Sequence, residues 1–245
     1  MTSSDDFWSE RSVPGSPSWQ FFQGRALSRY RFAFKHVAGK HVLDVASGTG
    51  YGAKLLGTTG QAASVIGVEF DSAAVDFANQ MCTTANVTFR QGDAQELSTY
   101  FGAAKFDTVV SMGTLEHIPD PNRFATQVKT VLKPPGVWLV TMLNPNVFHE
   151  PDPFHHQEYD LPTFRAFLAR HFNAVELYGL KEPVDRRRPI PLPDSVKKAV
   201  KRLLRPAMAW RLTMLRQKPH DAGEYEWTQE NIAATREFLA ICRVA

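Results

Sequence analysis

The chain has 245 residues, 43% apolar and 22% charged, with 28 basic and 25 acidic side chains and a net charge of +3. A chain of this size buries roughly 70–75% of its unfolded surface, and its apolar content excludes disorder over most of its length. No run reaches the roughly 18 apolar residues of a membrane span. The polar start Met1–Asp6 predicts no secretory signal. Cys82 and Cys242 are too far apart for a metal knuckle and point to a reducing, cytoplasmic setting.

Pro14, Gly15, Ser16 and Pro17 predict a turn, followed by a helix over 19–37 in which Phe21, Phe22, Leu27, Tyr30, Phe34 and Val37 recur at helical steps. From His41 the pattern alternates. Strands are predicted over 41–46, 64–69, 87–91, 106–112, 137–142, 174–180 and 236–243, with helices near 51–56, 72–83, 122–132 and 161–171. Apolar strands separated by helices imply an α/β fold: a doubly wound, seven-stranded, mostly parallel sheet covered on both faces.

Late in the chain the charge becomes uneven. Between Lys181 and Lys218 stand twelve basic residues against three acids, a local charge of +9 that leaves −6 for the remainder. Residues 185–193 read as a Pro- and Arg-rich linker. Residues 194–218 read as a helix interrupted at Pro206, with Val196, Val200, Leu203, Leu204, Ala207 and Trp210 along one stripe and Lys197, Lys198, Lys201, Arg202 and Arg205 opposite. Such a helix suits an anionic membrane surface or an anionic substrate, or it packs on the domain or on a second subunit while walling a substrate pocket. The whole chain, 1–245, reads as one domain: a helical cap over 1–39, a core over 40–180, a basic helical insertion over 181–223, and a terminal helix and strand over 224–245.

After the first strand, Gly48, Gly50 and Ala53 match the dinucleotide fingerprint in its alanine form, with Glu69 about twenty residues on. A nicotinamide or flavin oxidoreductase is therefore one expectation. Asp44, just ahead of the glycines, opposes it: a carboxylate ~4–5 Å from a pyrophosphate costs about 1 to 4 kcal/mol depending on the local dielectric. The same acid suits a ligand carrying an ammonium group, such as the methionine half of S-adenosylmethionine. Asp93 follows the third strand, where it could accept an adenine amino group, and His117 follows the fourth. Ligands of open α/β sheets bind beyond the carboxyl ends of the strands, so Asp44, Glu69, Asp93 and His117 should line one crevice.

These blocks resemble the class I S-adenosylmethionine-dependent methyltransferases. The likeness is carried by D-x-A-x-G-x-G at 44–50, V-I-G-V-E-F-D at 65–71, Q-G-D-A at 91–94, F-D-T-V-V-S-M-G-T-L-E-H-I-P-D at 106–120 and V-L-K-P-P-G at 131–136. Ala46 stands where the family usually has Gly, and Pro135 replaces a second usual Gly. A looser likeness, in Glu10–Gly15, Arg29–Ala33, Gly50–Gly52 and Phe154–Tyr159, is to the sugar and glycan O-methyltransferase branch. The resemblance implies a Rossmann-like methyltransferase fold and S-adenosyl-L-methionine as cofactor, with S-adenosyl-L-homocysteine as product. Asp44, Gly48 and Gly50 would hold the methionine part, Glu69 the ribose and Asp93 the adenine, with Ala46, Phe70, Ala94 and Met112 also lining that site. The acceptor would be a hydroxyl of a sugar or oligosaccharide intermediate. An amine or carbon acceptor on a small natural product is the alternative, and a cofactor-binding regulator is the non-enzymatic one.

A hydroxyl must lose its proton as it is methylated, which histidine commonly assists. His117 is the leading base by position, with His155 and His156 next in a loop that also carries His149, Glu150, Asp152 and Glu158. A divalent metal is not favoured, because His155, His156 and Glu158 contain no helical i, i+4 ligand pair. A nucleic-acid acceptor is also not expected, since Gly113–Glu116 holds no aromatic to stack a flipped base.

Overall fold

The computed structural model of the protein describes residues 13–16, 19–147, 154–183 and 224–244. Its elements are α1 (Trp19–Val37), β1 (His41–Val45), α2 (Tyr51–Gly57), β2 (Ser64–Glu69), α3 (Ser72–Met81), β3 (Val87–Gln91), α4 (Leu97–Phe101), β4 (Phe106–Ser111), α5 (Pro121–Val131), β5 (Leu132–Leu143), α6 (Leu161–His171), β6 (Ala174–Lys181), β7 (Glu226–Thr228) and β8 (Glu237–Arg243).

All the described strands join one sheet in the order β3-β2-β1-β4-β5-β8-β6-β7. The pairings β2–β3, β1–β2, β1–β4 and β4–β5 are parallel, whereas β8 runs antiparallel to both β5 and β6. The sheet is thus mixed and eight-stranded, which corrects the expected count of seven. The additional strand, β7, is three residues long and pairs with the end of β6; it is too short for a period-two pattern to show in sequence. The helix expected within 224–245 is instead a single 3-10 turn, Ile232–Ala234, leading into β8.

Two apolar layers sandwich the sheet. On one face Phe124 and Val128 of α5 and Phe164, Phe167 and Leu168 of α6 pack with Trp138 of β5. On the other, Tyr30, Ala33 and Val37 of α1, Ala53 and Leu56 of α2 and Val75 and Ala78 of α3 pack with Val42, Val65 and Leu139. Local chemistry starts the helices. Asp71, Asp120 and Asp160 each accept a hydrogen bond from a backbone N–H of the following first turn, and proline stands in the first turn of α5 and α6, where its missing N–H costs nothing. Among the described residues no helix is long and apolar enough to cross a membrane. His149, Glu150, Asp152 and the helix expected over 194–218 lie outside the described residues.

Candidate active site

The strand order reverses between β1 and β4, and the ligand crevice of an open α/β sheet forms at that reversal. Asp44, on β1, is fully buried. Its two carboxylate oxygens each lie 3.4 Å from the Tyr30 hydroxyl, which donates to them. Burial pushes its carboxyl up to about 8; the Tyr30 hydrogen bond opposes this and the Glu69 charge adds to it. Among the described residues no cation faces Asp44, so this desolvated acid suits an incoming ammonium group. Burial, and secondarily Asp44, likewise raises the Tyr30 hydroxyl well above its ordinary value.

The β1–α2 loop turns through left-handed backbone at Ala46, Gly48 and Gly50. At Gly50 a Cβ would come 2.8 Å from both Ala78 and Phe89, so only glycine fits there. Glu69 closes the loop from the next strand, accepting from the Gly48 N–H at 2.9 Å and the Asp71 N–H at 3.2 Å. Phe70 follows it and is 72% exposed. Past β3, Asp93 accepts from the Gln95 N–H, and Ala94 behind it is buried. Met112, directly after β4, is buried in the layer that contains Tyr30. Of the acids expected after strands one to three, Asp44 and Glu69 stand within β1 and β2, near their carboxyl ends, and Asp93 stands two residues past β3.

Ala46 occupies a conformation, φ 56°, that L-residues with a Cβ rarely adopt. Left-handed backbone costs such a residue about 1–2 kcal/mol, partly offset by glycine's entropic penalty of about 0.5–1 kcal/mol. Ala46→Gly is therefore expected to raise the melting temperature by about 1–3 °C. A fall on thermal denaturation would mean that the Ala46 methyl makes packing contacts that outweigh the backbone cost.

After β4 the chain forms a turn, Leu115–His117, tied to β1 by the Thr114 hydroxyl donating to the Val45 carbonyl. The segment preceding α6 is fastened onto this turn. The His156 N–H donates to the Glu116 carbonyl at 2.8 Å, and the Gln157 amide donates to the carbonyls of Leu115 and Ile118, both at 2.7 Å. The fastening sets the His155 ring edge-to-face against His117, with centroids 4.9 Å apart. His117 Nδ1 lies 3.2 Å from the Phe154 carbonyl oxygen, and His155 Nδ1 lies 2.9 Å from Glu158 Oε1. His117 and His155 are thus brought together, while His156 is exposed and joined to the turn through its backbone.

Sequence reasoning missed the groups beneath this edge. Glu116 is buried, and burial raises its carboxyl against the opposing effects of its own backbone, His117 and Arg29. Arg29 Nη2 donates to Glu237 Oε2 at 2.9 Å, with Nε 2.6 Å from the other oxygen. Burial lowers the Arg29 pKa, but the Glu237 carboxylate outweighs it and the net shift is upward. The guanidinium lies under Gly113, where a Cβ would approach it to 3.1 Å. Only the Arg29–Ala33 block hinted at these contacts, and Glu237 lies 208 residues away from its partner.

Comparison with known proteins agrees with this geometry. The family model described as a methyltransferase domain matches residues 36–235. A Mycolicibacterium smegmatis protein named "Probable S-adenosylmethionine-dependent methyltransferase" is 32% identical over 71% of this chain and 62% of its own length. A fatty-acid O-methyltransferase of the same organism is 30% identical over 70% of this chain and 66% of its own length. The chain therefore spans somewhat less than two thirds of these relatives. In fold it is similar to an S-adenosylmethionine-dependent methyltransferase from Archaeoglobus fulgidus, with a TM-score of 0.58 and 17% identity over 92% of this chain and 94% of that one. With four sequence blocks at the strand ends, a reversal crevice between β1 and β4 and a family model covering most of its length, the chain belongs to the class I S-adenosylmethionine-dependent methyltransferase family.

Proposed function

We propose that the protein is an S-adenosylmethionine-dependent O-methyltransferase that methylates a hydroxyl of a sugar or glycan intermediate. The observation that carries this reading is the juxtaposition, along one sheet edge, of a buried, cation-free Asp44 and the His117–His155 pair. S-adenosylmethionine supplies a methyl group already activated on a sulfonium. Asp44 binds the ammonium of its methionine part, and the Gly48–Gly50 backbone gives close approach. Glu69 receives the ribose hydroxyls, Phe70 covers the adenine face, and Asp93 and Ala94 border the adenine edge. Met112 walls the reacting side. The histidine face takes up the acceptor proton, and the fastened loop holds the acceptor near attack distance.

The fatty-acid O-methyltransferase among the relatives supports oxygen as the accepting atom and favours one second reading, a carboxylic acid acceptor. The two differ physically: a carboxylate is already ionised and needs no base, whereas a hydroxyl does. Singly replacing His117, His155 and His156 with Ala should lower kcat by on the order of 10²-fold in at least one variant on a hydroxyl acceptor. Rates within severalfold of wild type in all three would contradict the hydroxyl reading and point to a carboxylate, amine or carbon acceptor. The single-domain organisation over 1–245 and the pocket-wall role of 194–218, with a membrane surface or a second subunit as its other partners, belong to the same proposal.

A further inference from the structure

We propose that Glu116, His117 and His155 form a binding site for a divalent transition-metal cation at the acceptor side of the crevice, a proposal that rests on the hydroxyl-transfer reading for its role but not for its existence. One potential ligand atom from each of the three residues lies within 4.8 Å of the other two. Metal bonds of about 2.0–2.2 Å hold tetrahedral ligands roughly 3.3–3.6 Å apart, so modest rotations of the side chains close the site.

Three further observations favour a cation. First, Glu116 is 2% exposed and its Oε2 has no hydrogen-bond partner among the described residues. Buried carboxylate oxygens are ordinarily satisfied, and one that is not calls for an unseen partner. Second, both histidines are held by the nitrogen a metal would leave unused. The Phe154 carbonyl can only accept, so His117 Nδ1 must carry the proton, and neutral His117 then presents a lone pair on Nε2. Glu158 makes the same demand of His155 Nδ1. A carbonyl or carboxylate behind each imidazole is the arrangement that fixes the tautomer of metal-ligating histidines. Third, the two segments are locked together by the His156 and Gln157 hydrogen bonds to Leu115, Glu116 and Ile118, so much of the entropic cost of gathering ligands is met by the fold.

The 155–158 segment by itself lacks metal-ligand spacing; the missing ligands come from the turn after β4, 38 positions earlier. Two imidazoles and one carboxylate favour ions of the cobalt-to-zinc group over magnesium and match the ligand set of catalytic zinc sites, which keep a position open. An acceptor hydroxyl in that position loses its proton more readily. With the cation bound, His117 and His155 serve as its ligands and no longer as the base: the proton passes to water or to the exposed His156, the freed oxygen pair forms the bond to the methyl carbon, and the sulfonium sulfur keeps the electron pair of the broken bond.

The test is a titration of chelator-stripped protein with Co²⁺, read by visible ligand-field absorption and by competition with Zn²⁺, alongside S-adenosylhomocysteine calorimetry. One equivalent should bind. His117→Ala and His155→Ala should each weaken binding at least about 100-fold and Glu116→Gln at least about tenfold, while His41→Ala, an exposed histidine at the amino end of β1, leaves it unchanged. Retained S-adenosylhomocysteine affinity in each variant shows that it is folded. The proposal is overturned if wild type takes up no stoichiometric cation, or if binding survives both histidine substitutions. Cation binding without S-adenosylhomocysteine binding would instead sink the methyl-transfer reading and leave the metal site standing.

Discussion

Replacing Asp44 with Asn weakens S-adenosylhomocysteine binding by at least about 30-fold, since truncating one partner of a buried charge pair costs roughly 2–5 kcal/mol. The effect should also have a pH signature. Burial holds the Asp44 carboxyl at about 8 in the ligand-free protein, and an ammonium group binds its ionised form. Below pH 8, binding therefore releases a proton, and wild-type affinity climbs by up to about tenfold per pH unit before levelling off. Stability runs the opposite way. A folded value above the ordinary 3.8 means that the folded state binds this proton more tightly than the unfolded state does. The contribution of Asp44 is thus complete below about pH 4 and is lost as pH rises through about 8, so the melting temperature of the ligand-free protein loses this contribution across that window. Calorimetry in buffers of different ionisation enthalpy reads the released proton directly. An Asp44→Asn variant with wild-type affinity and wild-type pH slope would remove Asp44 from the cofactor site.

Glu237→Gln should be the most destabilising single change in the scaffold beneath the site. Glu237 is fully buried against Arg29, and Arg25 lies within its electrostatic reach. Removing one partner of a buried pair leaves an uncompensated charge and costs about 3–5 kcal/mol, whereas replacing both with apolar groups is often neutral. In a chain of this size the loss corresponds to a melting temperature lower by about 6–20 °C. The paired change, Arg29→Met with Glu237→Leu, should recover most of it. Equal destabilisation by the single and the paired change would show that packing, rather than the unmatched charge, sets the cost.

The parallel half of the sheet was legible in the sequence because its strands are short β-branched or apolar segments, alternating with helical ones, and an acid stands at or just past the carboxyl end of β1, β2 and β3. Asp44, Glu69 and Asp93 stood out for that reason. Their supporting contacts did not. The Tyr30 hydroxyl reaches Asp44 from a helix whose apolar period marks it simply as core, and the Arg29–Glu237 pair joins the two ends of the chain. Register across such distances is set by tertiary packing and leaves no local pattern. The histidines were visible individually, but their pairing was not, since it depends on the Gln157 amide meeting two backbone carbonyls in another loop. Glu116 read as part of a family block rather than as a buried acid, because its burial follows from that same docking.

Methyl transfer to a hydroxyl is tested most directly by following labelled methyl from S-adenosylmethionine onto a panel of mono- and oligosaccharides, lipids, fatty acids and amino sugars, with and without a divalent cation. The expected result is label on a sugar hydroxyl, at a rate that His117→Ala or His155→Ala lowers by on the order of 10²-fold. Label only on a carboxylate or an amine, at rates indifferent to both histidines, would contradict it.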